Sequence, residues 1–252
     1  MRDGILKFLM PWGVTCITCG EARRMDGMHE LCQRCREKLT QAQVPAAACD
    51  RCLSYVAPGD KCPFCRDGGM QYLHKMYAPF MYVHVPRRLV MRLKFDSVNE
   101  ALDPLADAMA GALTDRDFDL MTPVPLHHRR QRVRGCNQAM LLAEGVAART
   151  GIPVCDALRR IRATKPQSAL AGWKQRKQNV ENAFETAEAL KGKRILLVDD
   201  VRTSGSTARA CAQALLQGGA AQVSLLTACV VYHYRGKKHG SMAGKNGAAA
   251  GQ

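Results

Sequence analysis

The 252-residue chain concentrates its reactive side chains in two places. One is Val198-Asp199-Asp200-Val201-Arg202-Thr203-Ser204-Gly205-Ser206-Thr207. Adjacent carboxylates accept hydrogen bonds from hydroxyl groups. The run after them supplies four hydroxyls (Thr203, Ser204, Ser206, Thr207) and a glycine that lets backbone N–H groups close on an anion. The carboxylates alone would repel a phosphate. A ligand with both a phosphate and vicinal hydroxyls, such as a ribose 5-phosphate group, suits both halves. No Gly-Lys-Ser/Thr follows the glycine, so this is not a Walker loop. An isolated Asp-Asp pair is equally a strand-end turn or a helix cap; its neighbours on both sides favour a ligand.

The other place is the front of the chain. Eight of the 12 cysteines form four pairs, each separated by two residues: Cys16/Cys19, Cys32/Cys35, Cys49/Cys52 and Cys62/Cys65. Such a gap aims both thiolates at one metal from a tight turn, and two such turns complete a tetrahedral site. Four pairs in series predict two structural Zn²⁺, consecutive pairs sharing an ion, with an interleaved pairing as the alternative. Gly20 after Cys19 suits a left-handed turn residue, whereas Leu53 after Cys52 makes the second half less regular. His29 is read as a surface residue, and Cys211 and Cys229 as core.

The elements around the acidic motif follow from the apolar pattern. Ile195-Leu196-Leu197-Val198 is a continuous apolar run, the mark of a strand buried on both faces, and is expected to end at Asp199. A helix from about Thr207 to Leu216, stopped by Gly218-Gly219, and a strand from Gln222 to Val231 complete a βαβ unit. The fold class is therefore α/β, with a parallel sheet flanked by helices. Ligands bind at the carboxyl ends of such strands, where the Asp pair falls. Upstream, the pattern predicts a strand over 75–84, a helix after an Asp103-Pro104 start, a strand from Phe118 to Val124, and a helix from Gln138 to Thr150 stopped by Gly151. Residues 163–182 read as a loop.

These boundaries divide the chain into a cysteine-rich metal domain (1–70), an α/β domain (71–234) and a basic, low-complexity, disordered tail (235–252). No clean leader and no run of about 18 apolar residues is present, so a soluble, cytoplasmic protein is expected. The net charge is +15, and +10 of it falls between His127 and Lys177. Residues 1–70 carry +2, which eight thiolates and two Zn²⁺ would bring to about −2. The basic region is therefore the middle of the chain, suited to phosphates or nucleic acid.

Ile195 to Thr207 resembles the phosphoribosyl-pyrophosphate (PRPP) motif of type I phosphoribosyltransferases, and the chain up to about Arg235 resembles the ComF family of competence-associated proteins. Pro123-Val124-Pro125-Leu126, Arg129-Arg130, Arg134-Gly135-Cys136-Asn137-Gln138 and Thr164-Lys165-Pro166-Gln167 are similar to that family's elements, as is the cysteine-rich front. Cys136 stands where the family usually has Phe, and Ser204 where Thr is common. The resemblance implies PRPP bound with Mg²⁺: the 5-phosphate on Thr203, Ser204, Gly205, Ser206 and Thr207, and the ribose hydroxyls on Asp199 and Asp200, the catalytic pair. It places pyrophosphate near Pro123, Val124, Pro125 and Leu126. Arg129, Arg130, Arg134, Lys94 and Lys165 are candidates to neutralise it, and 163–182 is a candidate lid. It implies pentosyl transfer to an unspecified acceptor in support of DNA uptake or utilisation. The alternatives are a non-catalytic PRPP-binding regulator, and a scaffold whose zinc domain binds single-stranded DNA or a competence partner.

Overall fold

The apolar runs dominate the architecture. In the computed structural model, which describes residues 15–21, 31–57, 59–95, 99–126, 135–162, 183–186 and 190–231, they become two central strands. β6 (Arg194–Arg202) and β7 (Gln222–Val230) pair in parallel, from Arg194 opposite Gln222 to Arg202 opposite Val230. Helix α6 (Ser206–Gln217) connects them, giving the expected βαβ unit. β3 (Leu120–Pro123) lies on the other side of β6, with Pro123 opposite Val198. The short strands β1 (Met76–Tyr77) and β2 (Phe80–Met81) both pair with β7. The sheet order is β1/β2, β7, β6, β3, and every pairing is parallel.

Period-two alternation divides the core. Leu196 and Val198 pack with Leu89, Leu105, Met109 and Leu142 from α3 (His84–Phe95), α4 (Leu102–Ala112) and α5 (Gln138–Thr150). Ile195 and Leu197 pack on the opposite face with Cys211 and Leu215 of α6. That face also takes Leu158 of β4 (Leu158–Arg160) and Phe184 of β5 (Phe184–Thr186), an antiparallel pair. Ile195 to Val198 are wholly buried, each contributing roughly 1.5–3 kcal/mol. That is enough to hold two carboxylates at the less buried end of the same strand.

The front segment packs against this body. Two four-residue-turn knuckles are followed by α1 (Gln33–Gln41) and the short α2 (Pro63–Arg66). Cys16, Ile17, Leu31, Cys32 and Cys35 join the core on the α3 face, while Cys52 and Met70 join that on the α6 face. Between them the chain follows the outer edge of β1 and β2. The N–H of Val44 donates to Pro79 O at 3.0 Å, that of Met81 to Ala42 O at 2.8 Å, and that of Met76 to Arg51 O at 2.8 Å.

Several expectations differ in detail. The 75–84 strand is two short strands separated by Ala78-Pro79, because proline has no N–H for the ladder, and α3 already begins at His84. A 3-10 turn at Asn99–Ala101 leads directly into α4, so Asp103 and Pro104 sit inside its first turn rather than at its cap. Asp103 instead accepts from Arg149 of α5 at 2.9 Å, and Asp107 is the second partner of that arginine. The strand expected over Phe118–Val124 is confined to Leu120–Pro123. β6 does not stop at Asp199, because β7 is long enough to pair it through Arg202. The helix Gln138–Thr150 agrees at both ends: Asn137 Oδ1 caps the N–H of Ala139, and Gly151 takes φ 76° at the stop. Cys211 and Cys229 are fully buried, as expected of core. Among the described residues no helix is long and apolar enough to cross a membrane.

Candidate functional site

The acidic motif occupies the carboxyl end of β6 and the start of α6. Thr203 to Gly205 form the turn, and Gly205, at φ 72°, is the residue from which α6 begins. Gly205 has no side chain to cap that helix, and among the described residues only Ser204 Oγ approaches its first N–H, so the remaining N–H groups of the first turn are available to an anion. Asp199, Thr203, Ser204, Gly205, Ser206 and Thr207 line one depression. The hydroxyls of Ser204 and Ser206 lie 2.9 Å apart, and the N–H of Ser206 approaches Ser204 Oγ at 3.4 Å. A small tetrahedral anion seated there would meet hydroxyls, helix N–H groups and one carboxylate.

Because β6 stays extended, its two carboxylates face opposite sides. Asp199 lies with the hydroxyl loop, while Asp200 reaches α3, where Lys94 Nζ sits 2.7 Å from its Oδ2. Burial, and then the charge of Asp200, raise the Asp199 carboxyl to about 7. The N–H of Asp200, Lys94 and Arg160 oppose that rise without cancelling it. Burial pulls Lys94 down, but the charge of Asp200, its hydrogen bond and the charge of Asp199 outweigh this, and the lysine ends above its ordinary value.

The Pro123-Val124-Pro125-Leu126 segment leaves β3 beside the acidic pair. The Val124 N–H donates to Val198 O at 2.8 Å, one residue before Asp199. Asn137 Nδ2 donates to Val124 O at 3.2 Å, so the cap of α5 also fastens this loop. Arg129, Arg130, Arg134 and Lys165 lie outside the described residues, as do the 163–182 loop and the tail from 232. The fold brings here three arginines that no sequence motif singles out, Arg160 being only one of the basic residues between 127 and 177. Arg160, over the ring of Phe184, is near enough for its charge to act on Asp199. Arg209, in the first turn of α6, donates to Ser204 O and Ser206 Oγ, both at 3.4 Å. Arg202 is buried directly beneath the loop. A position one turn into a helix after a phosphate-type loop could have flagged Arg209. Nothing in the sequence distinguishes Arg160 or Arg202 from surface arginines.

The paired cysteines form two clusters, Cys16/Cys19/Cys32/Cys35 and Cys49/Cys52/Cys62/Cys65, each with its four sulfurs within 4.8 Å of one another. Consecutive pairs therefore share a cluster. Sulfurs 2.3 Å from a tetrahedral ion stand about 3.8 Å apart. Cys19 to Cys32 and Cys49 to Cys65 are both 3.8 Å, and Cys52 to Cys62 is 3.4 Å. All-sulfur donor sets of this size fit Zn²⁺.

The clusters repeat one design. Gly20 N–H donates to Cys16 O at 2.8 Å, and Leu53 N–H to Cys49 O at 2.9 Å. Leu53 takes φ 58° where Gly20 has 73°, so the residue that looked irregular makes the same turn. Cys32 and Cys62 each stand at a helix N-cap. Burial pushes the Cys35 and Cys52 thiols up to about 12 and 11, so occupancy by a cation is what would make them thiolates.

A family model described as the phosphoribosyl transferase domain matches residues 137–247. The DNA utilization protein YhgH of Escherichia coli (strain K12) is 32% identical over 226 residues, covering 86% of this chain and 90% of that protein. Competence protein F of Haemophilus influenzae is 29% identical over 218 residues (82% and 87%), and competence protein ComFC of Bacillus subtilis 26% over 209 residues (79% and 83%). Together with the parallel sheet and the two four-cysteine clusters, similarity across nearly the full length of these relatives makes this chain a member of the ComF family, which joins a cysteine-rich front segment to a phosphoribosyltransferase-type fold.

Proposed function

We propose that the chain binds PRPP at the carboxyl end of β6 and supports the use or uptake of DNA. The observation that carries the first half is one depression holding Asp199, a hydroxyl-rich turn and the start of α6. The N–H groups and hydroxyls of Thr203 to Thr207 hold the 5-phosphate, helped by the dipole of α6. Asp199 receives the ribose hydroxyls from the loop side, and Asp200, held by Lys94 on the α3 side of the strand, sets the charge of the pair. The loop from Pro123 to Leu126 borders the pyrophosphate, and Arg129, Arg130, Arg134 and Lys165 supply positive charge to it. Asp199 and Asp200 would orient a hydrated Mg²⁺, which would supply positive charge to the pyrophosphate leaving group. The protein acts by placement and by charge, with no covalent nucleophile. On this reading residues 1–70 hold two structural Zn²⁺ and 71–234 form the transferase part.

The test is calorimetry with PRPP and Mg²⁺ on the wild type and on Asp199→Ala/Asp200→Ala. The wild type should bind and the double variant should not. Equal binding by both would sink the assignment. The DNA half rests on the names of the relatives and on the basic stretch from 127 to 177. It predicts single-strand binding that falls steeply with salt, measurable by filter binding. A flat salt response would remove nucleic acid as a direct partner.

A further inference from the structure

Arg202 is 4% exposed, yet among the described residues no carboxylate pairs with it. Its Nη2 donates to Cys52 O at 3.0 Å and its Nη1 to Thr203 O at 3.4 Å, while Nε has no partner among those residues. Its guanidinium lies 5.2 Å from the ring centre of Phe64, which sits between Cys62 and Cys65. The sulfurs of Cys52, Cys62 and Cys65 are near enough for their charge, when ionised, to act on it. A buried cation without a counter-charge is expensive, and two carbonyls and an aromatic face do not replace one. Four thiolates around a divalent ion carry a net −2, which is the missing counter-charge.

The same side chains support the hydroxyl turn from below. A Cβ on Gly205 would stand 3.6 Å from Phe64 Cζ and 3.9 Å from both Arg202 Cδ and Arg209 Nη1. Gly69 makes room for Phe64, since a Cβ there would meet the ring at 2.4 Å, and its carbonyl accepts from Arg209 at 3.3 Å. Among the described residues the first cluster makes no such connection; it packs on the other face of the sheet, where Arg88 of α3 donates to Thr18 O at 3.3 Å.

We propose that Arg202 is a positioning residue that couples the second four-cysteine centre to the anion-binding turn: its charge is balanced by the occupied centre, and its bond to Thr203 O holds the turn open for a phosphate. The second half rests on the reading that this turn takes the 5-phosphate. The metal at Cys49/Cys52/Cys62/Cys65 is then part of the site's architecture, while that at Cys16/Cys19/Cys32/Cys35 is not. Losing the second ion removes the centre that balances the buried guanidinium, and the turn loses its support.

The experiment uses the full-length, zinc-loaded chain and two readouts: zinc release to a chromophoric chelator, and calorimetry with ribose 5-phosphate. Arg202→Met should give up one of two zinc equivalents at roughly tenfold lower chelator concentration, the range typical of groups that orient metal ligands. The other equivalent should be unchanged, and ribose 5-phosphate should bind at least tenfold more weakly. Arg202→Lys, which restores the charge, should recover part of both. Arg209→Met touches the turn but not the sulfurs, so it should weaken ribose 5-phosphate and leave zinc untouched. Unchanged zinc retention in Arg202→Met would overturn the proposal. Should wild type bind no ribose 5-phosphate, the phosphate reading fails, and the zinc readout still decides whether Arg202 balances the centre. If Arg202→Met does not fold, amide exchange on the wild type replaces it. Chelation should strip protection from 203–207 and spare α5; equal loss in both, or none in the turn, would overturn the coupling.

Discussion

Replacing Lys94 by Met tests the electrostatics of the acidic pair most directly. Methionine keeps the length of the aliphatic stem and removes the charge. The Lys94 and Asp200 side chains are 17% and 16% exposed and 2.7 Å apart. Removing one partner of a buried pair costs about 3–5 kcal/mol, and of an exposed pair about 0–1. These exposures place the loss nearer the first limit, at roughly 2–3 kcal/mol. For a chain of this size that lowers Tm by about 5–10 °C. The sign of the pH effect follows from Asp199. Its folded carboxyl, at about 7, lies above its ordinary 3.8, so its contribution is most favourable below 3.8 and is lost as pH rises through 7. Lys94 restrains that rise, so Lys94→Met moves the loss to higher pH. Lysine itself does not titrate between pH 6 and 8.5. Thermal unfolding should therefore show a larger deficit at pH 8.5 than at pH 6, and Asp200→Asn on the same chain should recover much of it. A fall below 2 °C at both pH values, or a larger deficit at pH 6, would refute the reasoning.

Binding of PRPP with Mg²⁺ should strengthen about tenfold between pH 6 and 8, as an Asp199 of pKa about 7 passes from roughly 10% to 90% ionised; calorimetry on Asp199→Asn should find this dependence flattened. Leu53→Gly should raise stability by about 0.5–1 kcal/mol, since glycine relieves a left-handed φ of 58° at a modest entropic cost. Metal analysis of that variant should still give two zinc per chain. Gly205→Ala meets nothing closer than 3.6 Å, so its effect is conformational. It should cost roughly 1–2 kcal/mol in unfolding experiments and weaken ribose 5-phosphate.

The parts legible in the sequence are those with a strong local cause. The runs at 195–198 and 223–230 and the stops at Gly151 and Gly218 carry the sheet and two helices, and the two-residue cysteine gaps carry the clusters. What was not legible depends on partners far along the chain. Asp103 looked like a cap because its neighbour is proline; its partner, Arg149, is 46 residues away. The extension of β6 through Arg202 is imposed by the length of β7. β4 and β5 are three residues each, Leu-Arg-Arg and Phe-Glu-Thr, too short for any period. Arg202 reads as one more basic residue until the fold sets it against Cys52, 150 positions earlier.

The route of residues 42–51 along β1 and β2 has a practical consequence. Those backbone bonds satisfy the side of the sheet that β7 does not cover. A chain cut to begin at residue 71 would keep the βαβ unit but display an unpaired strand rim beside newly bared apolar surface, a template for adding strands from other molecules. Such a fragment is expected to self-associate rather than behave as an independent α/β domain. The front segment acts as a hem on the sheet as well as the bearer of two four-cysteine clusters, and the two parts of the protein are best expressed and studied as one piece.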